Sequence, residues 1–431
     1  MGDKPPAKLS RNIKALGVVS LLGDVASEMI YPLLPLFLTT VLGASATMLG
    51  AIEGAAESTS SLLKLASGWW ADRVPRKKPL VVAGYLLSAI ARPLMGIAAV
   101  PWHALAVRMT DRVGKGIRTS PRDALLADSS EVSQRGRAFG FHRALDNVGA
   151  VLGPLLAWLL YEIVHMPMRN VFLWSALPGA LSIVVVVVFV REGARGSRAG
   201  RPGASDGAHD GAHDGAHDEA STAAPAAAPA GTPVAAKHKL SGETSLGGTF
   251  WRYLAVLFVF TLGASSDTFL LLRSRQLGVP MAIIPILYAA FNLVKAAAST
   301  PGGVLSDRYG RRPLMVTGWA LYALVYVGFA FASAAWHAWA LLLTYGLYFG
   351  LTEGAEKALV ADMVPAARRG TAFGWFNFVI GIAALPASLL FGLVWDTAGP
   401  ETAFGMGAAL AGVATVGLIK LVRSNGVDSR S

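Results

Sequence analysis

The sequence predicts an all-α integral membrane protein with about twelve transmembrane helices. Of its 431 residues, 53% are hydrophobic and only 15% are charged, and the mean hydropathy is +0.49. A soluble protein would carry about a quarter charged residues. In addition, the apolar residues gather into successive stretches of roughly 20 residues, which is the length that a helix needs to cross the hydrocarbon core. Composition and segment length therefore indicate the same fold class.

Each predicted span is an apolar stretch between polar or basic connections. Several spans carry charges, so hydropathy alone would undercount them. The first six are Ala15–Leu38, Met48–Trp70, Leu80–Ala99, His103–Ala127, Phe139–Tyr161 and Asn170–Val190. The second six are Trp251–Leu272, Ala282–Leu305, Leu314–Ala334, Ala338–Ala361, Thr371–Trp395 and Thr402–Leu421.

The distribution of Lys and Arg orients these spans. The chain has 38 Lys and Arg against 27 Asp and Glu, a formal net charge of +11, and the cations cluster in every second connection. Cytoplasmic loops retain Lys and Arg, whereas short translocated loops carry few of them. We therefore expect a multi-pass protein of the bacterial inner membrane with both termini in the cytoplasm and no cleavable signal peptide. Arg273 and Arg275 are the exceptions to this pattern.

Other classes of function lack their motifs. The chain has no cysteine, which excludes disulfides, thiolate metal sites and cysteine nucleophiles. No nucleic-acid-binding motif accompanies the positive charge, so we expect no nucleic-acid partner. Gly114-Lys115-Gly116 lacks the spacing and the following Ser or Thr of a Walker loop. Since no nucleophile–base constellation stands out either, we expect no enzymatic activity and no cofactor.

The composition changes between the two sets of spans. We expect residues 1–190 to form a six-helix bundle, 191–248 a disordered cytoplasmic linker rich in Gly, Ala, Pro and His, and 249–431 a second bundle. The linker repeat contains three His-Asp pairs, which could hold nickel, zinc or cobalt loosely. A solvated low-complexity spacer is the alternative interpretation. The candidate metal ligands are His209, His213 and His217.

The two halves of the sequence repeat. DRVPRKKPLVVAG, beginning at Asp72, matches DRYGRRPLMVTG, beginning at Asp307, at an offset of 235 residues. Two further matches, ALLAD with ALVAD and RGRAFG with RGTAFG, both have an offset of 234 residues. Duplicated six-helix halves place a substrate site near the membrane midplane, at the interface between the halves.

The repeated loop carries the pattern G-x-x-x-D-R followed by a basic cluster. It resembles the signature loop of the major facilitator superfamily, which joins the second and third helix of each half. The resemblance implies the major facilitator fold, two pseudo-symmetric six-helix bundles. The glycines should permit close helix contact, and the aspartates should hold charge-assisted bonds. The expected gating and motif residues are Gly68, Asp72, Arg73, Gly153, Pro154, Gly303, Asp307 and Arg308.

Two more motifs resemble those of drug–proton exchangers within this superfamily. In span five, GAVLGPLLA contains Gly153-Pro154 and is similar to the antiporter signature, with Ala157 where glycine is usual. In span four, Arg112-Val-Gly-Lys115-Gly is similar to an Arg-x-x-x-Gly element whose arginine is implicated in proton coupling, with Lys115 where an amide is more usual. The resemblance covers nearly the whole chain apart from the linker. It implies a bacterial efflux permease that exchanges drugs or metabolites for protons.

Charged residues inside the spans should face the bundle interior and pair, since each costs at least roughly 2.5–3.5 kcal/mol in a bilayer. Asp24 and Glu28 are four residues apart in span one, and Tyr31 lies on nearly the same face. In the superfamily the first and fourth helix of each half line the cavity. For residues near the cytoplasmic ends, gating ion pairs are the competing interpretation. The expected substrate and proton-coupling residues are Asp24, Glu28, Tyr31, Glu57, Arg112, Arg118, Asp146, Asp267 and Glu353.

Three hypotheses for function follow. The first is proton-coupled efflux of a small organic compound, anionic or zwitterionic, by a monomer in the lipid bilayer that works by alternating access. The second is export of a divalent metal (nickel, cobalt, zinc or iron), with Asp24, Glu28 and Glu57 as ligands and the linker histidines as a collecting arm. The third, a membrane scaffold or sensor, gives no reason for the charges in the middle of the spans.

Overall fold

The computed structural model describes residues 9–71, 73–74, 76–130, 135–192, 246–365 and 368–422; at helical positions 71, 135, 136, 307, 369 and 370 only the backbone is described. These ranges are helical and contain no β-strand. The helices of the first half are α1 (Arg11–Glu28), α2 (Leu34–Leu36), α3 (Ala46–Ala71), α4 (Lys78–Ala91), α5 (Pro101–Asp128), α6 (Arg135–Trp158), α7 (Met168–Trp174) and α8 (Ala176–Phe189). π-helical turns at Phe37–Val41 and Leu159–Ile163 extend α2 and α6, and a 3₁₀ turn at Arg92–Ile97 extends α4.

The second half repeats this series of helices. A 3₁₀ turn at Met281–Ile283 precedes its third helix. The helices are α9 (Gly248–Gly263), α10 (Asp267–Gln276), α11 (Ile284–Tyr309), α12 (Arg311–Phe331), α13 (Ala335–Asp362), α14 (Arg369–Ala398) and α15 (Pro400–Leu421). Most of the predicted linker, 193–245, lies outside the described residues and with it the candidate ligands His209, His213 and His217. The predicted domain boundaries therefore stay a prediction.

Hydropathy separates two kinds of helix in this fold. Seven regions of the described chain are long and apolar enough to cross a membrane. They cover predicted spans three, five to nine, eleven and twelve, whereas spans one, two, four and ten, which carry most of the interior charges, fall outside them. The prediction of a helical membrane protein is confirmed, and the number of twelve spans stays a prediction.

Helices of both halves are interrupted where they meet. The chain turns through Met29–Leu33 between α1 and α2, and α9 gives way to α10 across residues 264–266. The Ser266 side chain accepts a hydrogen bond from the backbone N–H of Thr268 and so caps α10. The Tyr31 hydroxyl, in the first break, lies 3.4 Å from the Ser266 hydroxyl in the second. Both breaks therefore present polar groups to the interface between the halves.

Glycines allow the halves to approach closely. Helix α3 packs against α14, and a Cβ placed on Gly54 would lie 2.8 Å from the Leu385 Cα. On α14, a Cβ at Gly381 would lie 2.8 Å from the Ser61 Cβ. Helix α6 packs against α11 in the same interface. Backbones that come this close leave no space for a side chain, so glycine is required at these crossings.

The ends with the basic connections carry matching ion pairs. Lys77, at the start of α4, binds Asp128 at the end of α5 with an Nζ–Oδ2 distance of 2.7 Å. In the second half Arg311, at the start of α12, binds Asp362 at the end of α13. Both residues of the second pair follow those of the first by 234 positions. The repeat seen in the sequence is thus also a repeat of contacts, and we call this end of the molecule the basic end.

One expectation about the signature loop is wrong. A Cβ at Gly303 would have no atom within 4 Å, so this glycine permits no close contact. The neighbouring Gly302 faces α13 instead, where a Cβ would collide with the backbone of Gly350. The equivalent contact in the first half is the hydrogen bond that Ser67 donates to the Gly116 carbonyl, at 2.7 Å. One helical position, about 100° around the axis, separates the motif glycine from the packing glycine.

Candidate functional site

The interior charges of the first half fall into compensated pairs and a set that makes no ion pair. Arg108 on α5 donates two hydrogen bonds to Glu53 on α3, at 2.8 and 2.7 Å. Arg92 donates to Asp111 at 2.9 Å and to the Gly23 carbonyl at 2.8 Å, and so joins α4, α5 and α1. All four charged side chains are at most 6% exposed. These pairs hold the helices of the first half together, because breaking one would leave a buried charge alone.

Two other cations of α5 are enclosed within the first half. Arg118, a predicted site residue, is buried, donates to the Ser88 hydroxyl at 2.6 Å and lies over the Tyr85 ring at 4.4 Å. Arg122 donates to Ser20 at 3.0 Å and pairs with Asp123. Arg118 therefore packs between α4 and α5, and in this conformation it does not reach the second half.

Arg112 is the central member of the set without an ion pair. It is 7% exposed, its Nε has no hydrogen-bond partner, and it makes no ion pair within the described part of the chain. The Glu28 Oε2 is likewise buried without a partner. Arg112, Lys115 and Asp24 are the charged neighbours of Glu28. A cation and a carboxylate thus lie near each other, each with hydrogen-bonding capacity left for a third group.

Glu57 and Lys115 complete this set on α3 and α5. Glu57 is exposed, and its one hydrogen bond among the described residues is a long one, 3.4 Å, accepted from Ser61 on its own helix. Its charged neighbours are Lys64, Arg112, Lys115 and Arg108. Weakly paired charges of both signs, from the buried Arg112 to the exposed Glu57, thus form one group in the first half, where a polar ligand could replace their missing partners.

Helix α6 positions the two carboxylates of α1. A Cβ at Gly149 would lie 2.9 Å from the Asp24 Cβ, and a Cβ at Gly153 would lie 2.7 Å from the Glu28 Cβ. The glycines that belong to the antiporter-like motif therefore let α6 pack directly behind Asp24 and Glu28. Pro154 follows within α6 and is buried. The motif thus contributes by close packing and brings no polar side chain of its own.

The opposite wall, from the second half, is aromatic. Tyr31 of the first half touches it, with its ring centroid 5.3 Å from that of Tyr288. Asp267 at the start of α10 accepts a hydrogen bond from the Tyr345 hydroxyl at 2.9 Å. The Lys295 ammonium lies 4.2 Å from the centroid of the Phe349 ring. Behind these residues, ring contacts continue into the buried core of the second half through Phe260, Phe291, Trp319, Tyr322, Tyr326, Tyr345 and Tyr348.

Polar contacts also join the two halves on either side of the site, one toward the basic end and one at the opposite end. Arg143 on α6 pairs with Glu353 on α13, on the side of the basic end. Glu353, a predicted coupling residue, is therefore part of an ion pair between the halves in this conformation. At the other end, the Asp396 carboxylate of α14 accepts from the backbone N–H groups of Ala46 and Thr47 at 3.0 and 2.7 Å, and caps α3.

The remaining predicted motif residues lie at the basic end. Arg73 is exposed, stacks over the Trp69 ring at 3.7 Å and donates to the Trp69 carbonyl. Arg308 lies 5.4 Å from the centroid of the neighbouring Tyr309 ring. A Cβ at Gly68 would make ordinary contact with Ser120, at 3.5 Å. Asp72 lies outside the described residues, and only the backbone is described at Asp307.

Sequence reasoning missed three groups that the fold brings into play. Glu53 shares its span with Glu57 and Lys64, and Arg92 lies alone in its span; only the fold shows that α5 supplies the partners of Glu53 and Arg92. The third group is His142, whose Nδ1 lies 3.4 Å from the Asp146 Oδ2, four residues along the same helix. That spacing is the one signal that could have found it.

A metal centre finds no support in the described ranges. They hold no group of three or more His, Cys, Asp or Glu side chains that could bind a metal ion. Asp24 and Glu28 are adjacent on α1, but Glu57 lies on α3 among cations. The arrangement is better suited to a ligand with charged groups of its own.

Comparison with known proteins gives a consistent family. The Major Facilitator Superfamily model matches residues 16–290 and 268–430. An uncharacterised MFS-type transporter of Methanocaldococcus jannaschii is 33% identical over 410 residues, which cover 94% of this chain and 93% of that protein. The multidrug resistance protein MdtH of Shigella boydii is 33% identical over 132 residues, 30% of this chain and 33% of that protein.

Solved structures agree on the fold. A bacterial homologue of the human lysosomal transporter Spinster, in an inward-facing and unoccupied conformation, superposes with a TM-score of 0.69. The match covers 99% of this chain and 100% of that one, at 17% sequence identity. At this identity the likeness concerns the fold alone.

Proposed function

The chain belongs to the major facilitator superfamily, and from this premise we propose that it exports small organic compounds, zwitterionic or anionic, in exchange for protons. The family makes the protein a multi-pass membrane transporter and not an enzyme. Export, proton coupling and the substrate class are the proposal. So are its location in the bacterial inner membrane with cytoplasmic termini, and its two bundles, 1–190 and 249–431, joined by a linker.

One observation carries the proposal: among the described residues Arg112 is buried without an ion pair, and Glu28, which has Arg112 among its charged neighbours, has an unpartnered oxygen. An unpaired charge inside a membrane protein is costly and indicates a functional site. The guanidinium can bind a carboxylate or sulfonate in a bidentate manner. The Glu28 and Asp24 carboxylates can bind either a proton or a cationic group. Arg112 and Glu28 together therefore suit a ligand with one negative and one positive group.

The sign of the electrostatics favours a zwitterion over a simple anion. An anion bound at Arg112 would repel the Glu28 carboxylate and favour its protonation, which couples binding to proton uptake. A cationic group bound at Glu28 competes with the proton directly, so binding releases it, as an antiporter requires. A zwitterion can bind Arg112 through its anionic end and displace the proton from Glu28 through its cationic end. It therefore uses the unpaired arginine and still couples its binding to proton release.

The second half would bind the apolar part of the ligand. Tyr288, whose ring centroid lies 5.3 Å from that of Tyr31, and the half-buried Phe349 would offer ring surfaces for stacking. Lys295 adds a cation at this wall, beside Phe349. A compact compound with an aromatic ring and two charged groups would contact both halves at once, and rocking of the halves would then move it across the membrane.

Transport by purified protein in liposomes tests this proposal. We would use three probes without titratable groups: the zwitterion pyridinium propanesulfonate, the anion benzenesulfonate and the cation N-propylpyridinium. None of them carries a proton by itself, so a pH dye inside the liposomes reports only coupled movement. Entry of the zwitterion should drive protons out, and Glu28→Gln should abolish this proton movement.

Matched variants separate the roles of the two charges. Arg112→Gln should weaken binding of the zwitterion and the anion but not of the cation. Arg191→Gln, at the basic end, is the control. Zwitterion transport without proton movement would contradict antiport, and a strict preference for the cation would contradict the role of Arg112.

A further inference from the structure

We propose that His142 and Asp146 form a proton relay between the Asp24–Glu28 pair and the basic end of the transporter. The proposal rests on the proposed function, because it assigns the path of the proton that the substrate displaces. The superfamily motifs found in the sequence include neither residue.

The His142–Asp146 pair is buried and incompletely bonded. The Nδ1 of His142 lies 3.4 Å from the Oδ2 of Asp146, and His142 is 4% exposed. The other atom of each side chain, the His142 Nε2 and the Asp146 Oδ1, is buried without a hydrogen-bond partner. Buried polar atoms are normally paired. Each side chain thus has one atom in contact with the other and one atom available to a proton from a further site.

The pair continues a series of titratable groups at the contact between α1 and α6. Gly149 lies against Asp24 and Gly153 against Glu28, which fixes the register of the two helices. Counted from the basic end, the series is His142, Asp146, Asp24 and Glu28, each about one helical turn, roughly 5 Å, deeper than the last. Asp146 is a charged neighbour of Asp24. Each group is thus within reach of the next, directly or through one water molecule.

The charges around this series come from two other helices. Helix α5 supplies Arg122 and Arg118 near Asp146 and Asp24, and Lys115 and Arg112 near Asp24 and Glu28. Helix α11 supplies Tyr288 and Lys295 near Glu28. In the relay, Asp146 accepts the proton as the ionised carboxylate.

The transfer can be written with every proton accounted for. When a substrate ammonium reaches Glu28 or Asp24, the proton leaves that carboxyl for the Asp146 carboxylate. Asp146 passes it to Nδ1 of a neutral His142 whose Nε2 carries a hydrogen, and Nε2 releases its own proton toward the basic end. Return of the ring to its first tautomer and of Asp146 to its ionised form resets the relay. No oxidant or other reactant is needed.

Comparison of two transport modes tests the relay. In liposomes, movement of pyridinium propanesulfonate driven by a pH gradient requires net proton transfer, whereas exchange of labelled for unlabelled probe at equal pH does not. His142→Gln should lower the gradient-driven rate about a hundredfold, the contribution of a positioned acid–base group, and leave exchange at the wild-type rate. Asp146→Asn, which keeps the shape of the side chain, should lower the gradient-driven rate to a similar extent.

His165→Gln is the matched control, since His165 is exposed in the connection between α6 and α7 at the other end. It should leave both modes unchanged. If His142→Gln loses neither mode, or loses both, the relay is overturned and His142 is structural. If wild-type protein exchanges the probe but moves no protons, the proposed function fails together with the relay.

Discussion

The two halves share their architecture but differ in the chemistry of their interiors. Helix α5 of the first half carries a row of charges where α13, its counterpart, carries aromatic and small residues. The offset of 234 residues aligns the ends of these helices and pairs Arg108 with Leu342, Asp111 with Tyr345, Arg112 with Gly346, and Lys115 with Phe349.

The ends of the two halves, by contrast, stay alike. The pairs Lys77–Asp128 and Arg311–Asp362 occupy equivalent positions, because each half must hold the start of one helix against the end of another. The difference teaches that the repeated contacts at the ends maintain the fold, whereas the interiors of the two halves are suited to different functions. Under the proposed function, the charged half would handle protons and ionic groups, and the aromatic half would bind rings.

Of the variants that test this difference between the halves, removal of Arg108 should cause the largest loss of stability. Arg108→Leu installs the residue of the equivalent second-half position and leaves the Glu53 carboxylate buried alone, which costs about 3–5 kcal/mol. The thermal unfolding midpoint in detergent should fall sharply. Glu53→Gln added to the same chain removes the stranded charge and should recover most of the loss. Equal losses in the single and double variants would show that charge compensation is not what holds α3 to α5.

Gly153→Ala should have the next largest effect. The new Cβ would lie 2.7 Å from the Glu28 Cβ and must push α6 away from α1, at a cost of about 1–3 kcal/mol. The antiport rate should fall by more than the loss of folded protein explains, because Glu28 is displaced. Gly140→Ala is the control in the same helix, since nothing lies within 4 Å of its Cβ. Similar unfolding midpoints and transport rates for the two variants would refute the packing role of the motif.

Phe349→Leu sharpens the assignment of ring binding to the second half. Loss of an aromatic contact weakens binding by about 1 kcal/mol, or roughly fivefold in Kd. Titration calorimetry with pyridinium propanesulfonate should show this change, while proton release per molecule bound stays the same. Leu347→Ala alters an exposed position on the same helix and should change neither quantity. A loss of proton release in Phe349→Leu would contradict the division of work between the halves.

Asp396→Asn should have the smallest effect. It weakens the cap on α3, about 1 kcal/mol, and so loosens the end opposite the basic one. Because the chain has no cysteine, Ser45→Cys can report opening through its rate of labelling by an impermeant maleimide. Labelling should be faster in Asp396→Asn than in Thr397→Val, whose hydroxyl bonds only within α14. Equal rates would mean that the cap does not hold this end closed.

Most of the fold could be predicted because bilayer length, basic loops and a repeat at one offset constrain it strongly. Hydropathy alone would have missed α1, α3, α5 and α13, since their charges depress it. The sequence of the second signature loop did not show which of its two adjacent glycines packs against α13. Two consecutive residues of a helix point to different faces. Which of the two packs depends on where the neighbouring helix lies, and the sequence does not give that position.

The candidate site could be predicted only in part. Asp24, Glu28 and Arg112 stand out as charges in apolar segments, and the structure brings them together. Arg118 does as well, yet it is enclosed by Tyr85 and Ser88. Spacing gives the face of a helix but not its partner, so paired and unpaired charges look the same in the sequence.

Calorimetry of pyridinium propanesulfonate binding, repeated in two buffers of different ionisation enthalpy, tests the central claim most directly. The difference in heat gives the number of protons released for each molecule bound. We predict about one proton for wild-type protein and none for Glu28→Gln, by linkage between the proton and the substrate's cationic group. Binding to wild-type protein without proton release, or the same release from Glu28→Gln, would contradict the claim that substrate and proton compete at this carboxylate.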